Sequence, residues 1–229
     1  MTKRDIGTRK RKIKPARIII ALLICIFLTA AILILDYFNL IPKKSYTAKD
    51  FGITPVLSGI DKDGDGIDDY TDIMQGARAF VAKKPPYKSV YYEGGYPTDE
   101  NAVCTDVVWS AFKNAGYMLK DMVDADIAAN PEAYFTNSEK PDPNIDFRRV
   151  RNLRIYFKRT ALSLTLDASE TAEWQPGDIV TYSHSHIAIV SDKRNADGTP
   201  YIIHHGGQPV LEEDALTRSE IDGHFRIKG

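Results

Sequence analysis

Cysteine is nearly absent from this chain: two in 229 residues, Cys25 and Cys104. Cys25 lies inside an uncharged apolar run, so Cys104 is the lone thiol of everything that follows, and no intramolecular disulfide can staple that part together. A basic excess is also lacking beyond residue 17. The first 17 residues carry eight basic side chains and one acidic one, and the remainder carries 22 basic and 30 acidic. That balance excludes nucleic acid as a partner, because binding it needs a basic face. There is no internal repeat and no low-complexity tract. A small-x-small cleavage site is missing after the apolar run, where Asp36-Tyr37-Phe38 stands instead. Ile24 before Cys25 likewise excludes a lipoprotein cysteine, which follows a small residue.

What is present begins with a basic arm over residues 1–17 and an apolar run over residues 18–35 with no charge. Eighteen helical residues reach roughly 27 Å, close to the hydrocarbon thickness of a bilayer. Basic residues before the run and Asp36 after it predict one retained membrane-spanning helix with a cytoplasmic N-terminus. Residues 36–58, with Pro42 and Pro55, read as a stalk, and residues 59–229 as an extracytoplasmic domain.

That domain opens on Asp61-Lys62-Asp63-Gly64-Asp65-Gly66-Ile67-Asp68-Asp69-Tyr70-Thr71-Asp72. Carboxylates at positions 1, 3, 5, 9 and 12 around a glycine at position 6 match an EF-hand type of calcium loop. The expected ligands are Asp61, Asp63, Asp65, the Ile67 carbonyl, Asp69 and Asp72, holding one structural Ca²⁺. Position 12 is Asp rather than Glu and the apolar residue falls at 7 rather than 8, which resembles the single loops of dockerin and thrombospondin-type repeats. The alternative is a solvated acidic turn. Ile73, Ala77, Phe80 and Val81 then predict a helix ending before Pro85-Pro86.

Val107, Val108, Ala111, Phe112 and Ala115 recur at helical spacing, with Gly116 as the stop. Cys104 falls at the start of this helix, where free N–H groups and the helix dipole lower a thiol's pKa. A small buried cysteine is the plainer reading of one residue. Residues 118–143 suggest helical turns broken by prolines. Another helical stripe runs through Leu153, Tyr156 and Phe157; Arg148, Arg149, Arg151 and Arg154 beside it can grip carboxylates or form a solvated face.

The last third alternates with period two: strands at 179–182, 186–191 and 201–204, the latter two joined as a hairpin by Asn195-Ala196-Asp197-Gly198. If the hairpin centres near Asn195, His186 and His204 stand opposite each other on one face. A thiolate nucleophile needs a base, and the base needs an orienting group. Cys104, His186 and His204 fill these roles. His184, of the same strand parity, is the rival base; His205 is expected on the other face, and His224 is read as structural. The fold class is α+β, helices against an antiparallel sheet.

Cys-Thr-Asp-Val-Val at 104–108, Asn-Ile-Asp-x-Arg-Arg-Val at 144–150, Trp-x-Pro-Gly-Asp-Ile-Val at 174–180, His-Ile-x-Ile-Val-Ser-Asp at 186–192 and Gly-His-x-Arg at 223–226 resemble the bacterial domain-of-unknown-function family 1287. That family is similar to the NlpC-type, papain-like cell-wall cysteine peptidases. The resemblance implies a papain-like fold, Cys104, His186 and His204 as a triad, and Tyr92 lining the site, with Tyr91 its near rival. Tyr92 and Arg149 are the candidate substrate-binding residues. The implied activity is cleavage of a peptidoglycan amide, a stem-peptide bond by preference, with no catalytic cofactor. Two other readings stand beside it. One is a non-catalytic wall-binding module on the same fold; the other is a zinc hydrolase using Cys104, His186 and His204 as ligands, although no His-x-x-x-His pair is present.

Overall fold

The computed structural model describes residues 15–136 and 140–228. All but the last three residues of the expected basic arm lie outside the described residues. The chain divides into two compact units, Met1–Ile41 and Pro42–Gly229. In the first, α1 (Pro15–Tyr37) is 23 residues long. Within Ala16–Tyr37 the most apolar 18-residue window has a mean hydropathy of 3.4, and the helix is long and apolar enough to cross a membrane.

The expected stalk splits at this boundary. Residues 42–58 belong to the second unit: Tyr46 exchanges backbone hydrogen bonds with Arg194 at 2.9 and 2.8 Å. The Gln175 side chain donates to the Thr54 carbonyl and accepts from the Val56 N–H. An unpaired strand edge invites such pairing, which covers backbone groups that would otherwise be exposed.

The second unit packs helices against one antiparallel sheet. The helices are α2 (Asp69–Ala82), α3 (Cys104–Asn114), α4 (Leu119–Ala129), α5 (Pro131–Tyr134) and α6 (Val150–Thr160). The strands are β1 (Leu162–Ser163), β2 (Ile179–Tyr182), β3 (His186–Arg194), β4 (Pro200–Ile203), β5 (Glu212–Glu213) and β6 (Ile221–Arg226), in spatial order β1-β6-β2-β3-β4-β5. Period-two alternation sorts their side chains. Ile179, Ile187, Ile189, Ile203 and Phe225 join Val107, Val108, Phe112, Leu153 and Phe157 in a helix–sheet core. Val180, Tyr182, Ala188, Val190 and Ile202 pack on Trp174 and Leu216 across the other face.

Two details of the sheet differ from expectation. The β3–β4 register pairs Ile189 with Ile203 and Val190 with Ile202, so the hairpin centres one residue later than Asn195, and the ladder shifts between Val190 and Arg194. His204 therefore does not stand directly opposite His186 but on a diagonal. Diagonal neighbours remain within reach of long side chains, and the two rings still meet. His184 is not in a strand at all. Ser183 and His184 take positive φ values of 45° and 60° in the tight turn between β2 and β3.

Candidate active site

Cys104 is the first residue of α3 and is buried. The start of this helix is locked from below. Asp106 accepts the Val103 N–H at 2.8 Å and the Trp109 indole N–H at 2.7 Å. Its carboxylate also receives a bidentate pair from Arg148 Nε and Nη2 at 2.8 and 2.9 Å, with both side chains buried. Arg148 Nη1 reaches on to the Val90 carbonyl, and Thr105 Oγ1 donates to the Arg148 carbonyl. The Cys104 thiol sits where the backbone N–H groups of Ile187 and Thr105 favour its anion, yet burial is the larger effect and pushes its pKa up to about 11. The lowering expected from the helix terminus is thus overridden, and the resting group is the neutral thiol.

His186 begins β3, one residue before the Ile187 amide that faces the thiol. Its Nε2 lies 2.7 Å from His204 Nδ1. His204 Nε2 lies 3.0 Å from Glu213 Oε1, and Arg218 binds both Glu213 oxygens at 2.9 and 2.8 Å. Burial, followed by the neighbouring His204 and His205, lowers the His186 pKa to about 4. At neutral pH the site therefore holds a thiol and a neutral imidazole. His184, the rival base, is mostly exposed in its turn, with Nδ1 2.9 Å from Asp222. His205 is buried with its ring edge-on to Tyr87, centroids 5.0 Å apart. His224 is structural: it stacks on Trp174 at 3.7 Å and bridges the Thr165 carbonyl and Asp178.

Tyr92 is placed differently from expectation. Its hydroxyl donates to Asp99 at 2.6 Å, and its ring covers the Arg148 guanidinium at 5.0 Å. Tyr87 is the tyrosine that feels Cys104: burial raises its pKa, and the Cys104 sulfur, once ionised, raises it further. A side chain at Gly207 would meet the Tyr87 ring, its Cβ lying 3.5 Å from it. The four arginines are all engaged. Arg148 holds Asp106, Arg151 the Tyr134 carbonyl, Arg154 the Asp222 carbonyl, and half-exposed Arg149 pairs with Asp146 at 3.2 Å. Sequence reasoning gives no specific role to Tyr87, Gln208 or Glu213. The structure brings Glu213 there by pairing β5 with β4 at Ile202, two residues from His204 on the same face.

In the acidic loop, Asp61, Asp63 and Asp65 bring ligand oxygens within 4.8 Å of one another. Gly64 and Gly66 take positive φ, and Asp61 accepts the N–H groups of Gly64, Asp65 and Gly66. Ile67 donates its N–H to Asp65. Asp69 and Asp72 fall outside that cluster. They are buried in the first turn of α2, where Asp69 accepts from Lys62 N and Tyr117 and Asp72 accepts from Asn114. Hard carboxylate donors of this number suit Ca²⁺, with three of the five side chains assembled. Among the described residues no other group of three His, Cys, Asp or Glu has this convergence. Cys104, His186 and His204 do not form a metal triad. Their two imidazole nitrogens sit at hydrogen-bond distance, closer than two ligands on one tetrahedral zinc at about 2.0–2.1 Å from each nitrogen.

A family model described as a domain of unknown function, DUF1287, matches residues 74–227. The chain belongs to this family. The DUF1287 match spans α3, the histidine pair and Glu213, and leaves out α1 and the acidic loop. Among curated proteins the chain is similar to the uncharacterized protein YijF of Escherichia coli (strain K12), 35% identical over 164 residues, covering 67% of this chain and 80% of YijF. No solved structure matches.

Proposed function

We propose that the second unit is an extracytoplasmic cysteine hydrolase of NlpC-like type, held at the membrane by α1 and acting on an amide of peptidoglycan stem peptides. The observation that carries this reading is the ordered chain His186–His204–Glu213–Arg218 ending beside the amide that faces the Cys104 thiol. A binding module gives no reason for an ordered chain from Arg218 to His186 to end one residue from the amide that faces a buried thiol.

In this reading the Cys104 S–H proton passes to His186 as the sulfur attacks the amide carbonyl. The C–S bond forms while the carbonyl π pair moves to oxygen. Collapse of that adduct expels the amine, which takes the proton from His186, and leaves a thioester on Cys104. Water then attacks the thioester with His186 again taking a proton, and the proton returns to the departing Cys104 sulfur. The N–H groups of Thr105 and Ile187, aimed at the sulfur, favour the thiolate as it develops. The Asp61–Asp72 loop is proposed to bind Ca²⁺ in a structural role.

Incubating the full chain with purified peptidoglycan and identifying released muropeptides by mass spectrometry tests this. Release that is lost in Cys104→Ala and on thiol alkylation supports the hydrolase. Release that survives Cys104→Ala, or wild-type chain that binds the wall without cleaving it, sinks it.

A further inference from the structure

Behind His186 lies a polar chain longer than a base and its orienting partner require. Glu213 is 1% exposed, yet its carboxylate is matched on both oxygens by the Arg218 guanidinium. A carboxylate held by a bidentate arginine is ionised and can only accept hydrogen bonds. The neighbouring ring nitrogen, His204 Nε2 at 3.0 Å, must therefore bring the hydrogen. Were the lone pair of Nε2 turned toward Glu213 instead, two acceptors would face each other in a buried site. The Gln208 amide nitrogen, 3.0 Å from the same Nε2, is a rival donor whose oxygen is taken by the Gly206 N–H; the ionised carboxylate outweighs this neutral amide for the ring nitrogen, and the amide gives its hydrogen to the His204 carbonyl at 3.3 Å instead.

A neutral imidazole with its hydrogen on Nε2 presents a lone pair at Nδ1. Across the 2.7 Å contact, His186 Nε2 must then donate. That leaves the lone pair of His186 on Nδ1, the nitrogen not used by His204. We infer that Glu213 is a positioning residue that sets the proton arrangement of both rings, keeping His204 protonated on Nε2 and the His186 lone pair on Nδ1. Arg218 acts one step further out, by holding Glu213 ionised. The other titratable groups around the rings are His205 and, at the neighbouring Ile187 amide, Cys104. Neither supplies a second acceptor for His204 Nε2. The consequence for catalysis rests on the hydrolase reading, but the proton arrangement does not.

The test is nitrogen NMR of the full chain in detergent micelles, labelled with ¹⁵N-histidine, at neutral pH. The expected wild-type spectrum has bare Nδ1 and protonated Nε2 on both His186 and His204. Glu213→Gln keeps the shape but can offer an amide N–H to His204 Nε2. It should reverse or mix both tautomers and lower kcat by ~10–100-fold, the usual loss for an outer partner of an active group, with KM nearly unchanged. A wild-type His204 carrying its hydrogen on Nδ1 overturns the inference, and that result needs no variant to fold. So does a folded Glu213→Gln whose tautomers match the wild type. A wild-type chain with the expected tautomers that cleaves no wall amide would defeat the hydrolase reading and leave the role of Glu213 standing.

Discussion

At the scale of single residues, the site is set by burial more than by the helix terminus. A thiol raised to about 11 and an imidazole lowered to about 4 are both neutral over the whole range between. The proposed hydrolysis requires His186 unprotonated, so kcat/KM should rise through pH about 4, stay level across neutrality and fall toward about 11. A rate profile of the wild type checks this; an acid limb at the ordinary histidine value of 6.5 contradicts it. The sign for stability runs the same way. An unfolded chain takes up the His186 proton below 6.5 while the folded one resists until about 4, so the stabilising contribution is complete above 6.5 and is lost as pH falls between those values. Substitutions follow from the same geometry. Cys104→Ala should abolish turnover, and His186→Ala should cost nearly as much, because members of such a unit act together. His204→Ala should cost less. His184→Ala should keep substantial activity, since its ring is spent on Asp222 outside the chain of contacts. Peptidoglycan assays of these variants, each checked for folding by circular dichroism, decide the assignment; a dead His184→Ala beside an active His186→Ala reverses it.

At the scale of elements, the start of α3 is tied to the rest of the unit by a buried ion pair, Asp106 with Arg148. Removing one partner of such a pair leaves the other charge uncompensated and costs about 3–5 kcal/mol. Arg148→Met should lower the denaturation free energy by that order, measured by chemical unfolding, and Tyr92 should loosen with it because its ring rests on the guanidinium. A loss below about 1 kcal/mol, the range of exposed pairs, would remove Arg148 from that role. This pair shows what a sequence can and cannot reveal. The apolar faces of α2, α3 and α6 and the alternation in β2 and β3 repeat every three to four or every two residues, so they were legible locally. Asp106 and Arg148 are 42 positions apart and share no period. The hairpin register was misjudged because the irregularity between Val190 and Arg194 adds residues that no turn motif announces. Glu213 was invisible for a related reason: β5 has two residues, too short to alternate. The position of Tyr87 is not legible in the sequence because its place against His205 depends on the path of an irregular segment.

At the scale of the whole molecule, the acidic loop is tied to the far end of the helix that starts with Cys104. Asn114, in the last turn of α3, donates to Asp72, and Tyr117 just beyond it donates to Asp69. Gly116, at φ +74°, sits against the loop closely enough that a Cβ there would lie 3.0 Å from the Asp63 Cβ and force the loop to give. An ion that gathers Asp61, Asp63 and Asp65 therefore draws on a loop already in contact with α3, and its binding energy is shared with the α2–α3 pair. Extracellular loops of this kind bind Ca²⁺ with a dissociation constant on the order of 10⁻⁴–10⁻³ M. With a constant of about 10⁻³ M, 10 mM free Ca²⁺ stabilises the folded state by about 1.4 kcal/mol through mass action. Titration calorimetry of the full chain in micelles should show one saturable site. Thermal unfolding in excess Ca²⁺ should shift upward relative to chelated protein, and Asp61→Asn with Asp63→Asn should remove both effects. No saturable heat up to about 10 mM, an order of magnitude above the weak end of that range, would make this stretch a solvated turn that caps α2 and nothing more.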